Sequence, residues 1–262
     1  MSGAPPLLLG AEHPLLESAS GAARAIGRAT SCFGALCTEL LTVAPPDLAA
    51  TERYQVAAGA AHRLSRRILE INGVHVSVRG PVPSGPVVLA CNHLGYLDPI
   101  VIGALLPLVA VAKSELSGWP FLGRVASHVG TLFVRRRSAQ HGAVVLRHAL
   151  RRLTAGVPVL NFPEGTTTDG SGPLLPFRRG LFGIARRARV RVVPVALRLE
   201  PTDAAWVGGA AFLPHYWRMT RRPSVRARVY FGEPLDAAQL PSAQACADEV
   251  RARVTALLRG SR

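Results

Sequence analysis

The sequence predicts an α/β protein with a mixed, largely parallel sheet flanked by helices, preceded by a small N-terminal helical module. Short, continuous apolar runs recur along the chain, as in residues 86–90, and such runs are typical of strands buried on both faces. Segments with helical periodicity separate them. Strands that alternate with helices indicate a layered α/β domain. With 262 residues, the chain has room for one sizeable core and a small extra module.

The N-terminal module is expected to cover residues 1–72 and the α/β domain residues 73–262. The first 50 or so residues are rich in Ala, Gly, Pro and Ser, which predicts loose, partly helical structure. The prolines at positions 45 and 46 predict a break, and a helix follows over residues 48–71.

The helix predicted over residues 48–71 has an apolar stripe, and Arg63, Arg66 and Arg67 lie toward another side. Two interpretations are open. The helix packs on the core with a solvated arginine face, or it lies in the headgroup layer of a membrane with its apolar side down and its arginines on phosphates.

The α/β domain begins with a half-exposed strand, in which valines alternate with polar residues. The predicted strands, in order, cover residues 74–78, 86–90, 108–112, 131–134, 157–162, 190–197 and 225–231. The predicted helices cover residues 138–155, 178–186 and 243–258.

The formal charge of +15 suits anionic lipid headgroups, phosphorylated substrates or nucleic acid. Lys113 is the only lysine among 31 basic residues, so part of this bias reflects a general preference for arginine. The basic residues are scattered and no nucleic-acid motif accompanies them, which favours a membrane surface or phosphate ligands and predicts no nucleic-acid partner.

The four cysteines form no CxxC pair, which indicates reduced thiols in the cytosol. No window reaches 18 uncharged apolar residues, so we expect peripheral association with a membrane rather than a spanning helix. No metal-binding signature such as HExxH occurs, and no metal is expected.

A histidine and a carboxylate follow the strand predicted over residues 86–90. A parallel strand would deliver His93 to the carboxyl edge of the sheet, where open α/β sheets bind ligands. If the chain turns into a helix there, Asp98 can approach His93 across the turn. Such a carboxylate fixes the imidazole tautomer and stabilises the imidazolium, so the pair can serve as a base toward a hydroxyl. The alternative is a histidine that caps a helix start.

Two more polar clusters follow predicted strands. In residues 161–170, hydroxyls and exposed amides are suited to an oxyanion or a phosphate, although the same residue types form ordinary turns. Residues 135–137 are three arginines, which suit a phosphate but equally a solvated surface.

The order and spacing of four motifs resemble those of the glycerolipid acyltransferase family, whose best-known members are lysophosphatidic acid acyltransferases. The motifs are Asn-His-x4-Asp at residues 92–98, Gly-x-x-Phe-Val-x-Arg at 130–136, Phe-Pro-Glu-Gly-Thr at 162–166 and Val-Pro-Val at 193–195. Together with weaker matches between and after them, the resemblance covers residues 86–235.

The resemblance implies that His93 is the general base toward an acceptor hydroxyl and that Asp98 orients it, with no acyl-enzyme. It implies an acyl-CoA or acyl-carrier protein donor, a lysolipid acceptor, no bound cofactor, and a peripheral location at the cytoplasmic face of the membrane, where the N-terminal helices dock. The residues it assigns to substrate binding are Lys113, Arg136, Glu164, Gly165, Thr166, Thr167 and Arg178. Of these, Lys113 would lie near the donor or the developing oxyanion.

One position departs from the family pattern. Many members have an arginine for the acceptor phosphate where this chain has Thr167. The charge must then come from Arg136, Arg178 or Arg179, or the acceptor lacks a phosphate there. We therefore expect 1-acyl-glycerol-3-phosphate as acceptor, giving phosphatidic acid, and a lyso-aminolipid such as lyso-ornithine lipid as the alternative.

Two other classes of function are considered. A serine or cysteine hydrolase needs a nucleophile beside the base, and no Gly-x-Ser-x-Gly motif occurs here. A basic lipid-binding module without turnover would depend on arginines and not on His93.

Overall fold

The structure, a computed structural model, describes residues 14–42, 44–45, 47–135 and 139–260. Its strands are β1 (Val74–Arg79), β2 (Val87–Cys91), β3 (Val109–Lys113), β4 (Leu132–Val134), β5 (Val159–Asn161), β6 (Arg191–Glu200), β7 (Val225–Phe231) and β8 (Leu235–Asp236). Its α-helices are α1 (Pro14–Leu41), α2 (Ala50–Asn72), α3 (Leu97–Gly103), α4 (Leu122–His128), α5 (Ala139–Thr154), α6 (Gly180–Ala188), α7 (Phe212–Arg221) and α8 (Ala243–Gly260).

The strands form one sheet in the order β1-β7-β6-β2-β5-β3-β4, and β8 pairs with β6. The pairs of β6 with β7 and with β8 are antiparallel, and the other pairs are parallel. This confirms the predicted mixed, largely parallel sheet flanked by helices.

Strand β2 lies inside the sheet, between β6 and β5, and all five of its residues are buried. Its side chains alternate between two cores. Val88 and Ala90 join a core with residues of α5, α6 and α8, and Leu89 and Cys91 join the opposite core with residues of α3. Helices therefore cover both faces of this strand, as its continuous apolar run requires.

Several elements were not predicted from the sequence, and some predicted boundaries differ from the observed ones. All seven predicted strands are present, but β6 runs to Glu200 rather than to residue 197. Helices α4 and α7 and strand β8 were not predicted. Helix α4 has only seven residues and β8 only two, so neither contains a full repeat of the apolar pattern on which such predictions rest.

The N-terminal region is more ordered than its composition predicts. Helix α1 has 28 residues, so the helical character expected of this region is present, and over Pro14–Leu41 it is continuous rather than loose. Its small residues Ala25 and Ala35 are almost fully buried, so neighbouring helices approach closely. Arg24 and Arg28 donate hydrogen bonds to backbone carbonyls at the end of α7, including Arg221 O at 2.6 Å and Arg222 O at 2.7 Å. Tertiary contacts therefore stabilise a helix that its sequence supports only weakly.

Helix α2 packs on the core. Leu64 and Leu69 are buried, whereas Arg63, Arg66 and Arg67 are exposed. Its apolar side is therefore occupied by protein, which agrees with the first of the two interpretations. Within the part of the chain that the structure describes, no helix combines the length and apolar character needed to cross a bilayer.

Candidate active site

The position of His93 is set by the residue before it. The buried side chain of Asn92 accepts a hydrogen bond from Leu197 N at 2.8 Å and donates one to Leu197 O at 3.0 Å. These bonds continue the pairing of β2 with β6 beyond Cys91, where the backbone ladder ends. The chain therefore leaves the sheet at a fixed point, and His93 is the first residue beyond it.

The structure brings His93 and Asp98 together, as the sequence predicts. Asp98 is fully buried in the first turn of α3, and its Oδ2 lies 2.7 Å from His93 Nδ1. The same oxygen accepts hydrogen bonds from Leu94 N at 2.5 Å and Gly95 N at 2.9 Å. One carboxylate oxygen therefore holds both the ring and the loop that carries it.

The imidazole of His93 presents its other nitrogen to solvent-accessible space. With Nδ1 donating to a carboxylate, the neutral ring carries its lone pair on Nε2. No hydrogen-bond partner of Nε2 is found among the described residues. The ring stacks on Phe162, with 4.1 Å between centroids. His93 can thus accept a proton at Nε2 while its orientation stays fixed.

Glu164 supports the same loop from the neighbouring strand β5. It is 4% exposed, and its carboxylate accepts hydrogen bonds from His93 N at 3.1 Å and Leu175 N at 3.0 Å. Burial raises the pKa of the Glu164 carboxyl, and the two N–H groups oppose that shift. Because both oxygens bind the backbone, this geometry favours positioning of His93 over direct contact with a substrate.

Gly165 allows an arginine to lie against the loop after β5. Its φ is +71°, and a Cβ there would lie 2.7 Å from Arg178 Nε. Glycine is therefore required both by the backbone and by the guanidinium. Arg178 N also donates to Pro163 O at 2.9 Å, which fixes the backbone of Arg178 against the same loop.

A cavity of about 730 Å³ opens beside His93. Its volume lies in the range of small-molecule sites. Most of its lining is apolar and comes from α1, α2, α3, α4 and the sheet. Of the predicted site residues, His93, Lys113, Gly165, Thr166, Thr167 and Arg178 line it.

The charged groups that line this cavity are all basic. Among the described residues, Lys113, Arg135 and Arg178 contribute to the lining and no carboxylate does. Lys113 lies at the end of β3, with Nζ 5.8 Å from the centroid of the Trp206 ring. Arg136 lies outside the described residues. The cavity is therefore suited to an anionic group at its polar end.

An aromatic wall of the cavity was not predicted. It consists of the cavity-lining side chains of Tyr96, Trp119, Trp206 and Phe212. Trp206 N donates to Leu94 O at 2.7 Å, and a Cβ on Gly95 would lie 3.0 Å from Trp206 N. Gly95 therefore admits the backbone of Trp206 at close range. No local pattern reveals this wall, because its members come from distant segments.

The described residues contain no group of three or more His, Cys, Asp or Glu side chains that could hold a metal ion.

Comparison with known proteins identifies the family. An acyltransferase family model matches residues 73–198. The 1-acyl-sn-glycerol-3-phosphate acyltransferase of Neisseria meningitidis serogroup B is 31% identical over 206 residues, which cover 76% of this chain and 80% of that protein. The chain belongs to the glycerolipid acyltransferase family. The resemblance of the four motifs is thereby confirmed, and the protein is an acyltransferase; this family needs no bound cofactor.

The names of similar proteins give different acceptors. The lyso-ornithine lipid O-acyltransferase of Pseudomonas aeruginosa is 34% identical over 174 residues, or 64% of this chain and 67% of that protein. The crystal structure of the 1-acyl-sn-glycerophosphate acyltransferase PlsC from Thermotoga maritima matches 94% of this acyltransferase with a TM-score of 0.65. The match covers 95% of the Thermotoga chain at 21% sequence identity, and at that identity it supports the fold.

Proposed function

We propose that this acyltransferase moves a fatty acyl group from an acyl thioester to the free hydroxyl of a lysolipid, with 1-acyl-glycerol-3-phosphate as the first choice of acceptor. The observation that carries this proposal is the placement of His93. Its ring is held by Asp98 on one side and faces a largely apolar cavity with basic groups on the other. That arrangement suits a substrate with an alcohol, an anion and a hydrocarbon chain.

The proposed reaction is the one that the family resemblance implies, and this geometry supports it. His93 Nε2 takes the proton of the acceptor hydroxyl as the oxygen attacks the thioester carbonyl. The resulting tetrahedral oxyanion collapses, the carbon–sulfur bond breaks, and the thiolate takes the proton from the imidazolium. Asp98 stabilises the imidazolium between these two transfers. No acyl-enzyme forms.

The basic lining supports a phosphate in the acceptor. The guanidinium of Arg178 lies against Gly165, and Arg178 lines the same cavity as Thr167. It is thus placed to replace the arginine that many relatives have at the position of Thr167. We assign Gly165, Thr166 and Thr167 to the same acceptor region, and we retain Arg136 as a further candidate.

A second acceptor is favoured by one observation. Thr167 replaces the phosphate-binding arginine, and the Pseudomonas relative named for lyso-ornithine lipid is 34% identical. Lyso-ornithine lipid is therefore the alternative acceptor. The absence of a carboxylate among the described lining residues argues against it, because its ammonium group would find no counter-charge there.

The donor is proposed to be acyl-CoA or acyl-carrier protein. Lys113 lines the cavity together with His93 and is assigned to the donor or to the developing oxyanion. The protein is proposed to act peripherally at the cytoplasmic face of the membrane, with residues 1–72 as its docking module and residues 73–262 as the catalytic domain.

The decisive variant is His93→Ala. Loss of the base is expected to lower the rate of acyl transfer by about two to four powers of ten, while folding is preserved. The measurement uses purified protein, one labelled acyl thioester, and lysophosphatidate and lyso-ornithine lipid as competing acceptors. Circular dichroism of the variant checks its fold.

The matched variant is Asp98→Asn. Asparagine keeps an oxygen that can accept from the His93 ring and from the backbone N–H groups of Leu94 and Gly95, but it lacks the negative charge of the carboxylate. The rate of acyl transfer by Asp98→Asn is therefore expected to lie between those of wild type and His93→Ala. Near-normal transfer by folded His93→Ala would show that His93 is not the base. Release of free fatty acid in the absence of any acceptor would show a hydrolase instead.

A further inference from the structure

Trp206 joins the aromatic wall to the loop that carries the base. It lies in the segment between β6 and α7. Its backbone N–H donates to Leu94 O at 2.7 Å, one residue beyond His93. A Cβ on the neighbouring Gly95 would lie 3.1 Å from Trp206 Cβ, so the two segments are in close contact there. The start of the Trp206 side chain is therefore placed relative to His93.

Further contacts orient the indole ring of Trp206. Its Nε1–H donates to Ala210 O at 2.8 Å, within the same segment. The ring also contacts that of Tyr96, with 5.7 Å between centroids and 60° between planes. His215 Nε2 lies 3.1 Å from the carbonyl oxygen of Ala205, the residue before Trp206. The segment is thus held by the base loop on one side and by α7 on the other, which restricts the freedom of the ring.

Lys113 reaches the same ring from strand β3. Its Nζ lies 5.8 Å from the centroid of the Trp206 ring, a distance at which an ammonium is attracted to the face of an indole. Lys113 is exposed, and no ion pair or hydrogen bond of its ammonium is found among the described residues. A lysine side chain is flexible, so its ammonium keeps one position only where a contact holds it. The Trp206 ring provides such a contact.

Lys113 and His93 lie at the same edge of the sheet. His93 follows β2, Lys113 ends β3, and β5 lies between these two strands. The three strands are parallel, so their carboxyl ends meet at this edge. His93, Lys113 and Trp206 also line one cavity. Trp206 thus contacts the loop of His93 through its backbone and the ammonium of Lys113 through its ring.

We propose that Trp206 is a positioning residue, whose ring holds the ammonium of Lys113 at a fixed place relative to His93. The use of that ammonium, to stabilise the negative charge that develops on the thioester carbonyl oxygen, rests on the proposed function. A positive charge contributes most when it is already in place as the oxyanion forms. An indole face attracts the ammonium without neutralising it, as a carboxylate would, so the charge stays available to the reaction.

The contact can be measured without any substrate, because Lys113 is the only lysine of the chain. With carbon-13-labelled lysine, its Cε methylene gives a single signal in a proton–carbon NMR spectrum. We expect the ring current of Trp206 to move this signal upfield in wild type, and the shift to be lost in Trp206→Leu. Trp119→Leu is the matched control, since it removes an indole from the same wall and should keep the wild-type shift. An unchanged signal in Trp206→Leu would overturn the proposal.

A double-mutant cycle tests whether the contact serves the reaction. Trp206→Leu is expected to lower kcat/KM for acyl transfer by about fivefold or more in wild type, and by less than about twofold when Lys113→Met is already present. Trp206→Phe, which keeps an aromatic face, should recover part of the loss. A tryptophan that only supports the fold would lower kcat/KM by the same factor in both backgrounds, and that result would overturn the positioning role.

Fluorinated tryptophan tests the same contact while the shape of the side chain is kept. In a chain with Trp119→Phe and Trp217→Phe, Trp206 is the only tryptophan. Each added fluorine draws electron density from the face of the ring and so weakens its attraction for an ammonium. We expect kcat/KM to fall stepwise, by about threefold or more from tryptophan to the trifluoro derivative. A kcat/KM that does not depend on fluorine would contradict the proposal.

These outcomes separate the inference from the proposed function. If wild type acylates neither lysophosphatidate nor lyso-ornithine lipid while the Lys113 signal still depends on Trp206, the proposed acceptor fails and the contact stands. If wild type acylates lysophosphatidate and kcat/KM does not respond to the tryptophan series, the proposed function stands and the positioning role is wrong.

Discussion

Two buried carboxylates near His93 have different partners. Asp98 binds the imidazole and two N–H groups of its own loop through one oxygen. Glu164 binds His93 N and Leu175 N through separate oxygens and thereby joins the loops that follow β2 and β5. The ring is thus oriented by one carboxylate, and its backbone is anchored by the other.

Glu164→Gln tests this division at the level of one residue. Glutamine offers one acceptor where two N–H donors converge, so one donor loses its partner. We expect the free energy of unfolding to fall by about 1–3 kcal/mol. Urea denaturation measures this change, and the turnover number should fall as His93 loses its anchor.

The exposed Glu233 provides the control, since Glu233→Gln should leave stability and turnover unchanged. If Glu164→Gln kept wild-type stability and raised only the KM for lysolipid, Glu164 would contact the substrate, as the family resemblance implies.

At the level of elements, a buried histidine connects α7 to the loop that carries the base. His215 Nε2 lies 3.1 Å from Ala205 O, so it donates there, and Nδ1 accepts from the Tyr96 hydroxyl at 3.0 Å. Burial, assisted by Arg218, lowers the pKa of His215 below 6.5, and contacts with Ala205 and Asp203 act in the opposite direction. The neutral ring therefore holds α7 against Tyr96.

This contact predicts a dependence of stability on pH. Because the pKa of His215 is lower in the folded than in the unfolded chain, the unfolded chain binds more protons at this residue below about pH 6.5. The free energy of unfolding should therefore fall as the pH drops through this range. His215→Asn retains an acceptor for Tyr96 but cannot titrate. The difference in unfolding free energy between wild type and variant should therefore shrink from about pH 7.5 to about pH 5.5. Urea titrations of both proteins measure it, and parallel curves would contradict it.

At the level of the whole molecule, the cavity lies between the sheet and helices from distant parts of the chain. Part of its apolar lining comes from Leu36 of α1, from Ala61 and Leu64 of α2, and from Val125 of α4. Packing of the N-terminal helices on the sheet therefore creates the space in which a hydrocarbon chain would lie. The depth of that space should limit the length of the acyl chain.

Ala61→Leu is expected to shorten this space. The added carbons should lower kcat/KM for a 16-carbon substrate relative to a 10-carbon one by about tenfold, which corresponds to about 1.4 kcal/mol. Competition between two acyl thioesters measures the ratio. Val56→Leu is the control, because Val56 is 41% exposed on the same helix and does not line the cavity. An unchanged ratio in Ala61→Leu would show that the chain binds elsewhere.

Most of the sheet and part of the site can be predicted from the sequence. The strand from residue 87 to 91 has the apolar run of a buried strand, and the approach of Asp98 to His93 depends on one local turn. Helix α1 could not be predicted in the same way, because its order depends on contacts such as Arg28 with the end of α7. The family resemblance implied a substrate contact for Glu164, and only its hydrogen-bond partners favour a positioning role.

By itself the sequence predicted seven of the strands, the helices α2, α5, α6 and α8, the family, and the approach of Asp98 to His93. The elements follow from apolar periodicity, the family from the resemblance of four ordered motifs, and the approach from a short spacing along the chain. The tertiary structure alone decided the cavity, the fit of Trp206 against Gly95, the link from His215 to Tyr96 and the contact of Lys113 with Trp206. Those features join segments far apart in the chain, and their geometry depends on how side chains fill shared space, which no local pattern records.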